Sequence, residues 1–297
     1  MYIIIGASSF IGENLYYTCV KQKKEVIGTY YLNKKCEDWI KFNLIEDNFC
    51  SLYKKYIGKK IEAVIICSAE TSIDKCKTKE ELSYKLNVLY TKKLLDDINK
   101  CGIKSVFMSS EAVFDGKKGL YAESDIANPI TQYGKQKLEV EKYIREMRYD
   151  TLIFRISRAV GCRFDVKDIF YEFYKRVIQN EEIICLENQM FCITEVNDIC
   201  NFIIKALEKK LTGLYHISSA NYVSRYELAQ IYCRRIFGGY GKIFEKKYCE
   251  IPFADNRHIY GGLNGEKINN LLRLGYLSTE EILDAYYLSY CSEKGRK

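Results

Sequence analysis

A chain of 297 residues, 47% of them hydrophobic and 29% charged, is long enough for one large α/β domain or two closely packed lobes. Its net charge of +7 comes from short groups such as Lys34-Lys35, Lys59-Lys60 and Lys246-Lys247 interleaved with acids, which speaks against a nucleic-acid surface. No apolar run approaches the roughly 20 residues needed to cross a bilayer, and 13 scattered cysteines without a Cys-x-x-Cys pair, with only His216 and His258 beside them, argue against a zinc site or a disulfide framework.

Tyr2-Ile3-Ile4-Ile5 reads as a short apolar strand. No charged stretch precedes it, so no signal peptide is expected, and the thiols are expected mostly as small buried apolar groups in a reducing cytoplasm. A turn at Gly6 follows, then a helical pattern from Ile11 to Val20. Glu25 to Tyr30 reads as a second strand and Trp39 to Phe42 as a short third. Ala63-Val64-Ile65-Ile66-Cys67 is apolar throughout, as a central parallel strand covered on both faces must be. A long helical pattern comes next, its apolar side marked by Leu82, Leu86, Leu89, Leu94 and Leu95. Ser105 to Ser109 is a further strand, Tyr133 to Tyr143 a helix, and Leu152 to Ile156 a sixth strand. This alternation calls for right-handed crossovers and predicts an α/β, doubly wound parallel Rossmann sheet. Beyond about residue 157 the rhythm changes. Helical patterns at Ile169–Val177 and Ile199–Leu207 and a late strand at Gly213–Ile217 predict a smaller mixed lobe. The expected division is residues 1–156 with 191–220 for the nucleotide lobe, and 157–190 with 221–297 for a substrate lobe over the C-terminal edge of the sheet.

After the first strand, Gly6-Ala7-Ser8-Ser9-Phe10-Ile11-Gly12 has the makings of a phosphate-holding turn. Gly6 permits the tight turn, Gly12 lets the helix pack on the sheet, and the helix N-terminus offers free N–H groups to a diphosphate. The middle glycine of the usual three is Ser9, which narrows the approach but can donate a hydrogen bond. An NAD-preferring protein carries Asp or Glu at the end of the second strand. Here the residues are Gly28-Thr29-Tyr30-Tyr31, with Lys34 and Lys35 beyond. With no carboxylate to oppose a 2′-phosphate, NADP is expected over NAD, unless the two lysines only solvate their loop.

Tyr133 and Lys137 share a helix face. An ammonium near the phenol is expected to draw its pKa down from about 10, and such a tyrosine can pass a proton to a carbonyl oxygen as hydride reaches carbon. The same spacing recurs at Tyr17/Lys21, Tyr30/Lys34, Tyr31/Lys35, Tyr56/Lys60 and Tyr171/Lys175, so spacing alone decides nothing. Position does: Tyr133/Lys137 follows the strand whose end carries Ser109 and Ser110.

The chain resembles the extended short-chain dehydrogenase/reductases, and most of all their dTDP-4-dehydrorhamnose reductase branch. The segments that carry the likeness run nearly end to end. They include Ala69-Glu70-Thr71-Ser72-Ile73-Asp74-Lys75-Cys76, Asn87-Val88, and Ser109-Ser110-Glu111-Ala112-Val113-Phe114-Asp115-Gly116. Tyr121-x-Glu123-x-Asp125, Pro129-x-x-x-Tyr133-Gly134-x-x-Lys137-x-x-x-Glu141, Gly213-Leu214-Tyr215-His216-Ile217-Ser218 and Ser224-Arg225-Tyr226-Glu227 complete it. The resemblance places the family's catalytic Ser/Thr, Tyr and Lys on Ser110, Tyr133 and Lys137. It implies a cofactor cradle at Gly6, Ser8, Ser9, Phe10, Ile11, Gly12, Tyr30, Tyr31, Lys34, Asn43, Leu44, Ser68 and Ala69, closed by Tyr133 and Lys137. The substrate is expected at Thr71, Ser110, Arg158, Gln189 and Arg257.

The related 4,6-dehydratases carry Thr-Asp-Glu where this chain has Ser110-Glu111-Ala112, so the second acid that elimination needs is missing. Where the rhamnose branch has Arg-Thr-Ser-Trp, this chain has Arg155-Ile156-Ser157-Arg158. A cation thus replaces an aromatic wall and suits a phosphate or an acidic sugar, unless it faces solvent. The branch's Pro-Thr is Ile193-Thr194, and its Arg-Pro is Arg257-His258. The implied activity is NAD(P)H-dependent reduction of a nucleotide-linked 4-keto-6-deoxy sugar for surface polysaccharide, in a cytoplasmic protein with no nucleic-acid, membrane or metal partner and with a homodimer as the expected assembly. An epimerase, another sugar-nucleotide oxidoreductase, or a non-catalytic dinucleotide-binding regulatory subunit are the alternatives.

Overall fold

The computed structural model describes residues 1–164 and 166–294; residue 165 and residues 295–297, which fall inside the expected substrate lobe, lie outside the described residues. Its strands in chain order are β1 Tyr2–Ile5, β2 Val26–Tyr30, β3 Ile40–Lys41, β4 Ala63–Ile66, β5 Ser105–Ser110, β6 Thr151–Ile156, β7 Arg158–Val160, β8 Glu182–Leu186, β9 Met190–Glu195, β10 Gly213–Ile217, β11 Tyr222–Ser224 and β12 Lys242–Lys246. A seven-stranded sheet runs β10-β6-β5-β4-β1-β2-β3, and all of its pairings are parallel. The strand order reverses beside β1, which is where an open α/β sheet leaves a crevice at its C-terminal edge.

Successive strand residues point to opposite faces, and the apolar runs are continuous because both faces are covered. Ile4 and Ile65 join one core, against the Phe10–Lys21 and Val196–Glu208 helices. Ile3, Ile5, Val64 and Ile66 join the other, against the Phe49–Lys54, Thr91–Lys100 and Gln132–Glu146 helices. Full burial of each such side chain contributes about 1.5–3 kcal/mol. A third core, around Phe170, Tyr232 and Tyr286, fills the small lobe beneath the sheet β11-β9-β7 and the pair β12-β8.

Two elements cross the expected lobe boundary. β9, assigned to the nucleotide lobe from residue 191, pairs with β7 and β11 in the small sheet. The Glu266–Leu272 helix, assigned to the substrate lobe, sends Ile268 and Leu272 into the core shared with Ile4.

The long helix expected through Leu82 to Leu95 is broken. Ile73–Thr78, Glu80–Tyr84, a π-helical stretch Lys85–Tyr90 and Thr91–Lys100 follow one another. The wider π turn rotates the buried face, so Leu82 and Leu89 are exposed while Val88, Leu94, Leu95 and Ile98 are buried. The third strand keeps only Ile40–Lys41 of the expected Trp39 to Phe42. No described helix is long and apolar enough to cross a membrane.

Candidate active site

The C-terminal ends of β1, β4, β5 and β6 open into a cavity of about 430 Å³. Ser9, Phe10 and Ile11 line it from the first turn, and Ser68, Ala69 and Thr71 from the segment after β4. Ser110, Tyr133 and Lys137 line its middle, and Arg158, Gln189 and Arg257 reach it from the small lobe's side. Gly6, Ser8, Gly12, Tyr30, Tyr31, Lys34, Asn43 and Leu44 are not among its walls.

Gly6 and Gly12 act through the backbone. Gly6 sits at φ +82°, and a Cβ on Gly12 would fall 2.4 Å from the Gly6 carbonyl oxygen. Any side chain at residue 12 therefore pushes the helix off the turn. Ser9 caps that helix, its Oγ accepting from the Gly12 N–H at 3.2 Å. As the acceptor in this bond, the hydroxyl keeps its own proton for a ligand oxygen. The turn thus fits a dinucleotide diphosphate.

The end of β2 differs from expectation in its charges. Lys35 forms an ion pair with Glu13, from the first turn of the Phe10–Lys21 helix, and Lys34 forms one with Glu37. Carboxylates therefore do stand beside both lysines; an acid favoured at a helix N-terminus arrives from 22 residues away in sequence. Asn43 and Leu44 have side chains committed to the fold. Asn43 Oδ1 accepts from the Ile45 N–H at 3.1 Å, and Leu44 is buried near Phe42, Phe49 and Leu52.

Tyr133 and Lys137 share the Gln132–Glu146 helix, whose N-cap Thr131 accepts from the Gly134 N–H at 3.0 Å. Lys137 Nζ donates to the Met108 carbonyl at 2.8 Å, and lies 4.8 Å from the Phe107 ring centroid and 5.7 Å from that of Tyr133. Burial pushes the Lys137 pKa down to about 8. Burial also pushes the Tyr133 phenol well above its ordinary range, against an opposing hydrogen bond with Ser110. The expected lowering by the ammonium is overturned, because desolvation of the phenolate outweighs a charge nearly 6 Å from the ring centroid. A neutral phenol is the proton-donating form.

The two serines at the end of β5 separate by role. Ser109 Oγ donates to Glu141 at 2.6 Å and is buried, whereas Ser110 lies beside Tyr133, its Oγ accepting from the Ala112 N–H at 3.2 Å. Behind the Gln132–Glu146 helix runs a polar stripe that apolar periodicity did not reveal. Asn87, in the π turn, donates to Gln136 at 2.8 Å and to the Glu70 carbonyl at 2.9 Å, and Gln136 donates to Ser83 at 2.9 Å. The Asn87-Val88 and Ala69-Glu70 matches were the sequence signals for it.

Glu111 and His258 also line the cavity and were given no role from sequence. Glu111 Oε2 accepts from the Gly262 N–H at 2.7 Å, and burial raises its carboxyl pKa. Gln189 donates to the His258 carbonyl at 3.1 Å, and Arg257 pairs with Asp74 at 2.7 Å. Arg158 is exposed and lines the cavity, its guanidinium 4.8 Å from the Phe191 ring centroid.

A family model described as RmlD substrate binding domain matches residues 1–270. A probable low-salt glycan biosynthesis reductase of Haloferax volcanii is 25% identical over 246 residues, 82% of each chain. The methionine adenosyltransferase 2 subunit beta of Bos taurus is 25% identical over 76% of this chain and 69% of that one. Among solved structures, a hypothetical dTDP-4-dehydrorhamnose reductase from Sulfolobus tokodaii superposes with a TM-score of 0.81 at 26% identity, covering 95% of this chain and 99% of that one.

Proposed function

The chain belongs to the RmlD substrate binding domain family, and from that premise we propose that it is an NADPH-dependent reductase of a nucleotide-linked 4-keto sugar, in the manner of the dTDP-4-dehydrorhamnose reductases it resembles. The observation that carries this reading is the meeting of Ser110, Tyr133 and Lys137 in one cavity with the Ser9-capped helix N-terminus. The cofactor, when bound, supplies hydride. Tyr133, held neutral by burial, donates its proton to the carbonyl oxygen, and Ser110 orients that oxygen by a hydrogen bond. Lys137, fixed by the Met108 carbonyl, places positive charge behind the phenol as it loses its proton. Ala112 offers no second acid, which disfavours elimination of water. Ser9, Phe10 and Ile11 would hold the diphosphate, and Thr71, Gln189, Arg158 and Arg257 the substrate.

The test follows absorbance loss from NADPH in the presence of dTDP-4-keto-6-deoxy sugars, with Tyr133→Phe as the control. Turnover that depends on Tyr133 supports the reading. A second reading, a dinucleotide-binding subunit without its own reaction, is favoured by the similarity to the methionine adenosyltransferase subunit. NADPH that binds but is oxidised by no keto sugar supports that alternative.

A further inference from the structure

We propose that Asp255 and Glu111 are positioning residues. They fix a strap, residues 255–263, to the immediate neighbours of Tyr133 and Ser110, and so set where the substrate meets those two hydroxyls. The inference rests on the reading of the cavity as the site of a keto-sugar reduction, and adds to it the residues that align the two lobes. The strap contains no helix and only single bridges, Met190 to Tyr260 and Tyr121 to Leu263. Its backbone groups therefore find their partners one at a time. On the small-lobe side the Met190 N–H donates to the Ile259 carbonyl at 2.7 Å, and the Gly261 N–H to the Met190 carbonyl at 2.8 Å. On the other side the Tyr260 N–H donates to the Gly116 carbonyl at 2.8 Å, and the Tyr121 N–H to the Gly262 carbonyl at 3.1 Å. The strap thus spans from β9 to the segment that follows β5.

Asp255 and Glu111 differ from these contacts in where they hold it. Gln132, the residue before Tyr133, opens the Gln132–Glu146 helix, and its N–H has no partner within that helix. Asp255 Oδ2 accepts from it at 2.7 Å, where a carboxylate also meets the positive end of the helix dipole. Glu111, the residue after Ser110, accepts from the Gly262 N–H at 2.7 Å. Gly262 sits at φ +85°, and a Cβ there would fall 2.9 Å from Cys192 Sγ, so the strap comes this close only with glycine. Between the two anchors Arg257 enters the cavity. Its Nη1 donates to the Asp255 carbonyl at 3.0 Å and its Nη2 to Asp74 at 2.7 Å, so the Asp255 end of the strap helps to place the guanidinium. Charge-assisted bonds at both ends hold this register, and a misplacement of about 1 Å between substrate and reacting groups costs about 10²-fold in rate.

The test compares Asp255→Ala, Asp255→Asn, Glu111→Ala and Glu111→Gln in the full chain, by NADPH oxidation with dTDP-4-keto-6-deoxy sugars and by NADPH titration. Each alanine variant is expected to lose at least about tenfold in kcat with KM changed less than about threefold, because the sugar still binds but sits askew. NADPH affinity should stay unchanged, since the Ser9 turn is untouched. Asn and Gln keep an acceptor oxygen and should restore most of the rate. Unchanged kcat in either alanine variant overturns the inference alone. So does an Asn or Gln variant as slow as its alanine counterpart, which makes the charge and not the hydrogen bond decisive. Loss of NADPH binding together with rate overturns it too, by assigning the acids to the fold at large. A parent chain that oxidises NADPH with no keto sugar overturns the reductase reading, and this inference with it.

Discussion

Arg155 grips Glu141 with two hydrogen bonds, Nε to Oε1 at 2.9 Å and Nη2 to Oε2 at 2.7 Å, and the two side chains are only 3% and 0% exposed. Ser109 donates to the same carboxylate. The pair thereby ties the Gln132–Glu146 helix, one turn beyond Lys137, to the end of β5 beside Ser110 and to β6. Removing one partner of a buried pair leaves the other uncompensated, so Glu141→Ala should lose about 3–5 kcal/mol. Ser109→Ala, which removes one charge-assisted bond, should lose about 1.5–3 kcal/mol. Urea denaturation checks both, and a Glu141→Ala midpoint near that of the parent would refute the role given to the pair.

Tyr133→Phe retains the ring and deletes the hydroxyl proposed as the proton donor. Turnover should fall at least about 10²-fold with NADPH affinity preserved. Steady-state rates and a cofactor titration separate the two effects; near-normal turnover would falsify the assignment.

Burial sets the Lys137 pKa at about 8, below its ordinary 10.5, so its ammonium is lost as pH rises through about 8. Activity that needs this charge should show an alkaline limb near pH 8. Lys137→Met should lower activity and abolish that limb. Stability moves the other way. Between about pH 8 and 10.5 the unfolded chain holds a proton the folded one has released, so the burial penalty fades as pH rises. Rate profiles paired with thermal unfolding test both signs.

Lys35 is occupied by Glu13 in the structure, and Glu13 also stands near the phosphate turn. Glu13→Gln should free the lysine and raise the preference for NADPH over NADH. Fluorescence titration of both reduced cofactors decides; an unchanged ratio places the 2′-phosphate away from Lys35. In the same assay, Gly12→Leu should abolish binding of both, because its Cβ has no room against Gly6.

His216 is fully buried, with Nδ1 3.0 Å from the Tyr121 carbonyl and Nε2 3.4 Å from Arg155. Burial first, then the Arg155 charge, lowers its pKa to about 3. Below about pH 6.5 the unfolded chain gains a proton that the folded one refuses. Stability should therefore decline by on the order of 1 kcal/mol for each pH unit down to about pH 3. His216→Gln should flatten that decline, as read from urea midpoints across the range.

The α/β pattern was legible because local chemistry writes it plainly. Continuous apolar strands such as Ala63–Ile66 can only be buried on both faces, and Gly6 with Gly12 marks a turn whose backbone tolerates little else. Tyr133 and Lys137 were legible by their place after β5 and by the likeness of their surroundings. Tertiary structure alone decided the rest. The burial that keeps Tyr133 neutral and weakens the Lys137 charge depends on walls drawn from distant segments. The acid that occupies Lys35, the polar stripe through Ser83 and Asn87, and the passage of β9 into the small sheet also need the folded chain. Sequence spacing encodes what a residue is and which face it shares, whereas solvation and pairing are sums over the whole surrounding volume.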